Sequence, residues 1–147
     1  MYNILKHAHS GWAYLLVLVV AVATINALIG LFGKRDFGNR DFSLALVGLI
    51  VTHIQLLMGL ALWALSPYSN QLFSNFSFLM TPEGRETRLL ALEHPLTMII
   101  ATAVLTIGYS KHKKQLVSNG KFKKLAIFYT IAFVLILSRL PWNQWLS

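Results

Sequence analysis

The sequence predicts an all-α integral membrane protein, a single up-down four-helix bundle with four transmembrane helices. Three observations carry that expectation. First, 56% of the 147 residues are hydrophobic and 12% are charged, the latter about half the share of a soluble domain. Second, the charges are confined to short stretches between long uncharged runs, the pattern of a chain that crosses a bilayer repeatedly. Third, there are four apolar stretches, in spans at about residues 9–32, 42–65, 82–109 and 122–142, the first three close to the roughly 20 residues a crossing needs and the fourth shorter. Short connections make sequential helices antiparallel neighbours. The whole chain, 1–147, is then one transmembrane domain.

The first run starts near His9 and stops before Gly33-Lys34-Arg35, and the second stops at Ser66-Pro67. The third opens on Thr81-Pro82-Glu83, where Thr can cap, Pro suits the first helical position and Glu suits the first turn. It is longer than a crossing needs, so its first turns, with Arg85, Glu86 and Arg88, should stand above the membrane. The fourth is the shortest. Its apolar part runs from Leu125 to Leu140 and needs Phe122 or Trp142 at its ends. The segment from Ser66 to Met80 reads as the one long loop, held on the outer surface by Phe73, Phe76, Phe78 and Leu79.

Charge sets the orientation. Lys34, Arg35 and Arg40 follow the first span, and Lys111, Lys113, Lys114, Lys121, Lys123 and Lys124 follow the third. The positive-inside rule puts both clusters in the cytoplasm and both termini outside the cytoplasmic membrane. Trp12, Tyr14, Trp63, Tyr68, Trp142 and Trp145 then form an outer aromatic belt, with Tyr109 and Tyr129 at the inner boundary. The net charge of +8 therefore points to anionic lipid and topology, and away from nucleic acid. There is no cysteine, which excludes disulfides, thiolate metal sites and covalently attached haem. No catalytic triad, phosphate loop or dinucleotide fingerprint is present.

The candidate site is a set of histidines. An ionisable side chain within a membrane span is costly and marks function by default. Three histidines qualify: His9, His53 and His94. At about 100° per residue, His9 shares a face with Ala13, Leu16, Val20, Ala23 and Ala27. His94 shares one with Ala91, Met98, Ala101, Leu105 and Gly108, and is followed by Pro95, which can kink the helix. Small residues on a face admit another helix or a flat ligand. In the second span His53 lies on a bulky face, while Gln55, Gly48, Thr52 and Gly59 form a small, polar one. His53 either flanks the site or faces a partner subunit. Helix depth puts His94 between His9 and His53, so either can pair with it. His7 and His112 read as solvated residues, at the outer interface and in the lysine-rich loop.

Three short motifs carry a resemblance: His9-Ser10-Gly11, Gln55-Leu56-Leu57-Met58-Gly59 and Glu93-His94. Over roughly the first three spans the chain resembles one half of haem A synthase, and also the small four-helix membrane proteins of the cytochrome b type. The resemblance implies haem b, with His9 and His94 as axial ligands and Gly59 as the point of close porphyrin approach. The chain has one bundle where haem A synthase has two, and it carries the additional His53.

The leading expectation is a b-type membrane cytochrome that passes electrons between quinol and a partner, or a haem-bearing subunit of a larger membrane complex. It is an electron-transfer or accessory subunit more than a stand-alone enzyme. Arg139, Arg85 and Arg88 are candidate partners for haem propionates. Two alternatives stand beside it. One is a cofactor-free accessory subunit. The other is a copper or zinc site built from His9, His53 and His94, since three imidazoles suit either metal.

Overall fold

A computed structural model describes residues 1–145 and is all helical over them. Helix α1 is Tyr2–Phe32 and α2 is Asn39–Leu65. Short helices α3, Pro67–Ser74, and α4, Phe76–Leu79, follow. Then one long, irregular helix runs from Pro82 to Lys113. It starts as a 3-10 turn at Pro82–Gly84, passes through α5, Arg85–Arg88, widens to a π-helix at Leu89–Glu93, and ends as α6, His94–Lys113. Helix α7, Ser118–Ser138, and the short α8, Trp142–Trp145, complete the described chain.

Three of these helices, Tyr2–Phe32, Asn39–Leu65 and Pro82–Lys113, are long and apolar enough to cross a membrane. Helix α7 differs because Lys121, Lys123 and Lys124 occupy its opening turns, which leaves a shorter apolar stretch. The four long helices close a ring in which α1 touches α2 and α7, and α6 touches α7 and α2. Their core is built from Leu16, Val20, Ala23 and Ala27 of α1, Ala101 and Leu105 of α6, and Leu125, Tyr129 and Ile136 of α7. The small faces expected of the first and third spans are therefore the faces that pack. In α2 the small face packs as well: Gly48 lies against Tyr129 and Ala23, and Thr52 is buried.

The boundaries depart from expectation in four places. Helix α1 begins at Tyr2, not near His9, since no residue before Gly11 breaks a helix. The segment from Ser66 to Met80 is no open loop. Ser66 caps α3 by accepting from the Tyr68 N–H at 3.0 Å, with Pro67 in the first turn, as such residues do. Leu79 at its end is fully buried. The fourth helix starts at Ser118 and stops at Ser138, so Phe122 lies inside it and Trp142 falls in the separate α8. Phe122 is fully buried because Gly30 of α1 leaves room for its ring: a Cβ there would lie 2.4 Å from it.

His112 is also a correction. It is not solvated but 1% exposed, at the end of α6. Phe37 and Phe42 fold over it with ring centroids 5.6 and 5.9 Å away, and its Nδ1 bonds the Tyr109 carbonyl. The surrounding lysines suggested water, but the intervening aromatics close over the ring. At the same end Asp41 joins the α1–α2 turn to the bundle. It accepts from Asn26 at 2.7 Å and from the Gly38 N–H at 2.9 Å, and pairs with Arg35. The Phe37 N–H donates to Ser118 Oγ at 2.8 Å, which ties this turn to the start of α7.

Candidate functional site

The irregular third helix places the site. Pro95 has no N–H to give the carbonyl of Ala91, four residues back. The Trp63 indole of α2 donates to that carbonyl at 2.8 Å. The π-helical turn lies just ahead of the proline, the wider geometry often found at functional sites. It brings His94 round to face α1.

His9 and His94 meet there. Their ring centroids are 6.2 Å apart and the rings are nearly perpendicular, at 87°. Each is held by a neighbour from another helix. His94 Nδ1 lies 2.8 Å from the backbone carbonyl of Arg139. A carbonyl only accepts, so Nδ1 carries the proton and Nε2 keeps a lone pair. On the α1 side Gln55 donates from Nε2 to the His9 backbone carbonyl at 2.8 Å. The His9 ring lies on Gly59, where an added Cβ would come 3.0 Å from Cε1. The glycine thus makes room for an imidazole. His9 Nδ1 and Gln55 Oε1 are buried without a hydrogen-bond partner.

The two histidines border a cavity of about 410 Å³. Ala13, Thr52, Gln55, Gly59, Met98 and Thr102 line its inner part, and Tyr2, Lys6, Tyr68 and Trp145 its outer part. Trp145 also donates to the Ser10 carbonyl at 3.2 Å, and Trp12 to the Val51 carbonyl at 2.9 Å. These tryptophans clamp helices to one another.

The other candidates lie elsewhere. His53 is exposed on the α2–α6 seam, with Nδ1 2.8 Å from the Leu49 carbonyl and Nε2 3.5 Å from Thr106 Oγ1. Among the described residues no group of three histidine or acidic side chains is placed to hold a metal ion. Arg139 supplies its carbonyl to His94, while its guanidinium stands 3.7 Å from Glu93. Arg88 pairs with Glu93 at 2.9 Å and donates to the Leu79 carbonyl. Arg85 is exposed. Sequence reasoning did not single out Lys6 for the site. Its spacing from His9, three residues or most of a turn, was the available signal.

Over 138 residues the chain is 24% identical to a Bacillus subtilis (strain 168) protein described as an uncharacterized amino acid permease, YvbW. The match takes in 87% of this chain and 31% of that protein, so the chain spans less than a third of the relative's length. No protein-family description matches the chain, and no solved structure does. The apolar helices and the likeness to a permease make the chain an integral membrane protein in contact with lipid.

Proposed function

We propose that this chain binds haem b between His9 and His94 and serves electron transfer, as a small membrane cytochrome or as the haem-bearing subunit of a larger complex. One observation carries the reading: two imidazoles, from α1 and α6, border one cavity with their ring centroids 6.2 Å apart. A metal bonded to two imidazole nitrogens at about 2.0–2.1 Å holds their ring centroids roughly 6 Å apart. The fixed proton on His94 Nδ1 suits this role, since ligating histidines almost always give their other N–H to a carbonyl or carboxylate. The cavity volume of about 410 Å³ falls within the usual range for cofactor sites. When bound, haem supplies one-electron chemistry. His9 and His94 would hold it, Gly59 sets the pose of the His9 ring, and Met98 and Leu140 help keep water out. Lys6 at the cavity mouth is the cation placed for a propionate, and Arg139 acts through its carbonyl.

In this reading α7 is the fourth crossing, its lysines standing in the cytoplasm. Both termini are extracytoplasmic, and the cavity opens on the outer side of the cytoplasmic membrane. Quinol and partner subunits are the natural electron partners. An optical spectrum of the detergent-solubilised protein tests the reading: a Soret band and a sharp reduced α band are expected. A purified, haem-replete expression without a Soret band overturns it.

A second reading is favoured by the irregular, π-helical turn at Leu89–Glu93. Solute carriers use interrupted helices to bind cargo, and the relative in Bacillus subtilis is described as a permease. The unpartnered His9 Nδ1 and Gln55 Oε1 would then receive a polar solute.

A further inference from the structure

Helices α1 and α2 approach closely at Ala23 and Gly48, where a Cβ added to the glycine would stand 3.9 Å from Ala23. The same pair of helices also forms a groove of about 300 Å³. Leu18, Val19 and Val22 of α1 and Leu44 and Val47 of α2 wall it. Leu18, Val22 and Val47 are exposed, so the groove faces away from the bundle core. None of these residues borders the cavity between His9 and His94. The groove is a separate site, and it stands whether or not haem fills that cavity.

Arg40 and Ser43 complete the lining. Both belong to the first turns of α2, which begins at Asn39. From Arg40 to Val47 the groove follows α2 for about 10 Å, at 1.5 Å per residue. It is apolar along its length and cationic at the end where the helix leaves the hydrocarbon. The Arg40 guanidinium is available to a ligand. The neighbouring carboxylate, Asp41, is taken by Arg35, Asn26 and the Gly38 N–H. Among the described residues no acid pairs with Arg40.

These features select an occupant. The solvent at this depth is acyl chain, so the groove takes an apolar tail. A guanidinium at its end takes a phosphate, which it can bind through two N–H groups at once. A phospholipid carries both parts. Charge selects its head group. The two connections at this end hold nine Lys and Arg against Asp36 and Asp41. That balance favours a net anionic lipid over one whose phosphate is offset by an ammonium. A second copy of this chain docked on the same face would bring no acid to Arg40, since its own groove has none.

We propose that the α1–α2 groove binds one anionic phospholipid, with an acyl chain between Val22 and Val47 and the phosphate on the Arg40 guanidinium. Ser43, one turn along the same helix, is placed to donate its hydroxyl to the same head group.

Native mass spectrometry of the full chain tests this. The protein is released from mild detergent containing equimolar phosphatidylglycerol and phosphatidylcholine. A single phosphatidylglycerol adduct should exceed the phosphatidylcholine adduct. Arg40→Gln should lower its retention about tenfold, as loss of a charge-assisted contact implies. Val47→Trp should lower it similarly, because the indole fills the groove while the charge stays. Lys123→Gln removes a cation of α7 outside the groove and should leave retention nearly unchanged. Excess sn-glycerol 3-phosphate, a head group without chains, should not displace the adduct. Equal retention of the two lipids overturns the inference, as does an Arg40→Gln or Val47→Trp variant that behaves as the wild type. An equal loss in Lys123→Gln would show a diffuse basic surface and overturn it too. Displacement by glycerol phosphate would remove the groove from the site. A dimer that forms only without lipid and is lost in Val47→Trp would assign the face to a second copy.

Discussion

At His94 one backbone carbonyl decides which nitrogen meets the cavity. The Arg139 carbonyl takes the Nδ1 proton, and Nε2 is left to bind. His94→Ala should therefore remove a b-type reduced-minus-oxidised spectrum while the protein still accumulates in the membrane. His9→Ala should give loss of haem or a high-spin, five-coordinate spectrum. His53→Ala should keep a low-spin spectrum, because its ring is bonded within the α2–α6 seam and away from the pair. A low-spin spectrum surviving in His9→Ala and lost in His53→Ala would reassign the ligand. Gly59 gives a finer test. An alanine Cβ there comes 3.0 Å from the His9 ring, so Gly59→Ala should tilt that ring and produce a mixed-spin spectrum. Gly11→Ala is the control, because nothing lies within 4 Å of its added Cβ. It should leave the spectrum unchanged and, if anything, raise stability by a few tenths to about 1 kcal/mol through helix propensity. Equal effects from the two glycines would refute the close-approach argument.

Between elements, stability rests on where one helix yields space to another. Gly108 of α6 lies so close to α7 that a Cβ would fall 2.2 Å from Phe128 Cβ. Gly108→Ala should open that seam and cost about 1–3 kcal/mol, the range for overpacking. Tyr129 of α7 is fully buried, and its hydroxyl donates to the Ala45 carbonyl of α2 at 2.7 Å. Tyr129→Phe keeps the ring but leaves that carbonyl short of a donor, and should cost about 1 kcal/mol. Both are measured by unfolding in detergent, where Gly108→Ala should show the larger loss. The reverse order would mean that α7 is held to α2 more firmly than to α6. The π-helical turn belongs to this scale too. Pro95 frees the Ala91 carbonyl and Trp63 fills the vacancy. Trp63→Phe should therefore loosen the helix around His94 and broaden any haem spectrum without abolishing it.

For the whole molecule, charge and apolarity set the placement in the membrane. The Lys34–Arg40 turn and the Lys111–Lys124 connection share one end, tied by the bond from Phe37 to Ser118. A reporter active only in the cytoplasm, fused after Ser147, should be silent. The same reporter inserted at Gln115 should be active. Activity at the C-terminus would turn the molecule over and move the cavity to the cytoplasmic side. Activity at both positions would instead keep the orientation and remove α7 as a crossing.

The periodicity of small residues on α1 and α6 was legible in the sequence because every face of a helix repeats at a fixed angle. Ala13, Val20, Ala23 and Ala27 pack as that spacing predicts, and so do Ala101, Leu105 and Gly108. The helical class and the start at Thr81-Pro82 were legible for the same local reason, as was the small face of α2. Which histidines meet was not legible from helix geometry, although the resemblance named His9 and His94. Depth counted along isolated helices left His9 and His53 open as partners for His94, because the count carries no information on how helices rotate about their axes. That rotation is set by pairs distant in sequence: Gly59 under His9, Trp63 on Ala91, the Arg139 carbonyl on His94. His112 was misread for a related reason. Its lysine neighbours in sequence suggested water, whereas Phe37 and Phe42, some seventy residues away, bury it. Sequence by itself determined the helices and their apolar faces, because those follow from bonds and spacings within a few residues. Only tertiary structure decided which polar groups face one another, because a hydrogen bond across a seam depends on the rotation of both helices at once.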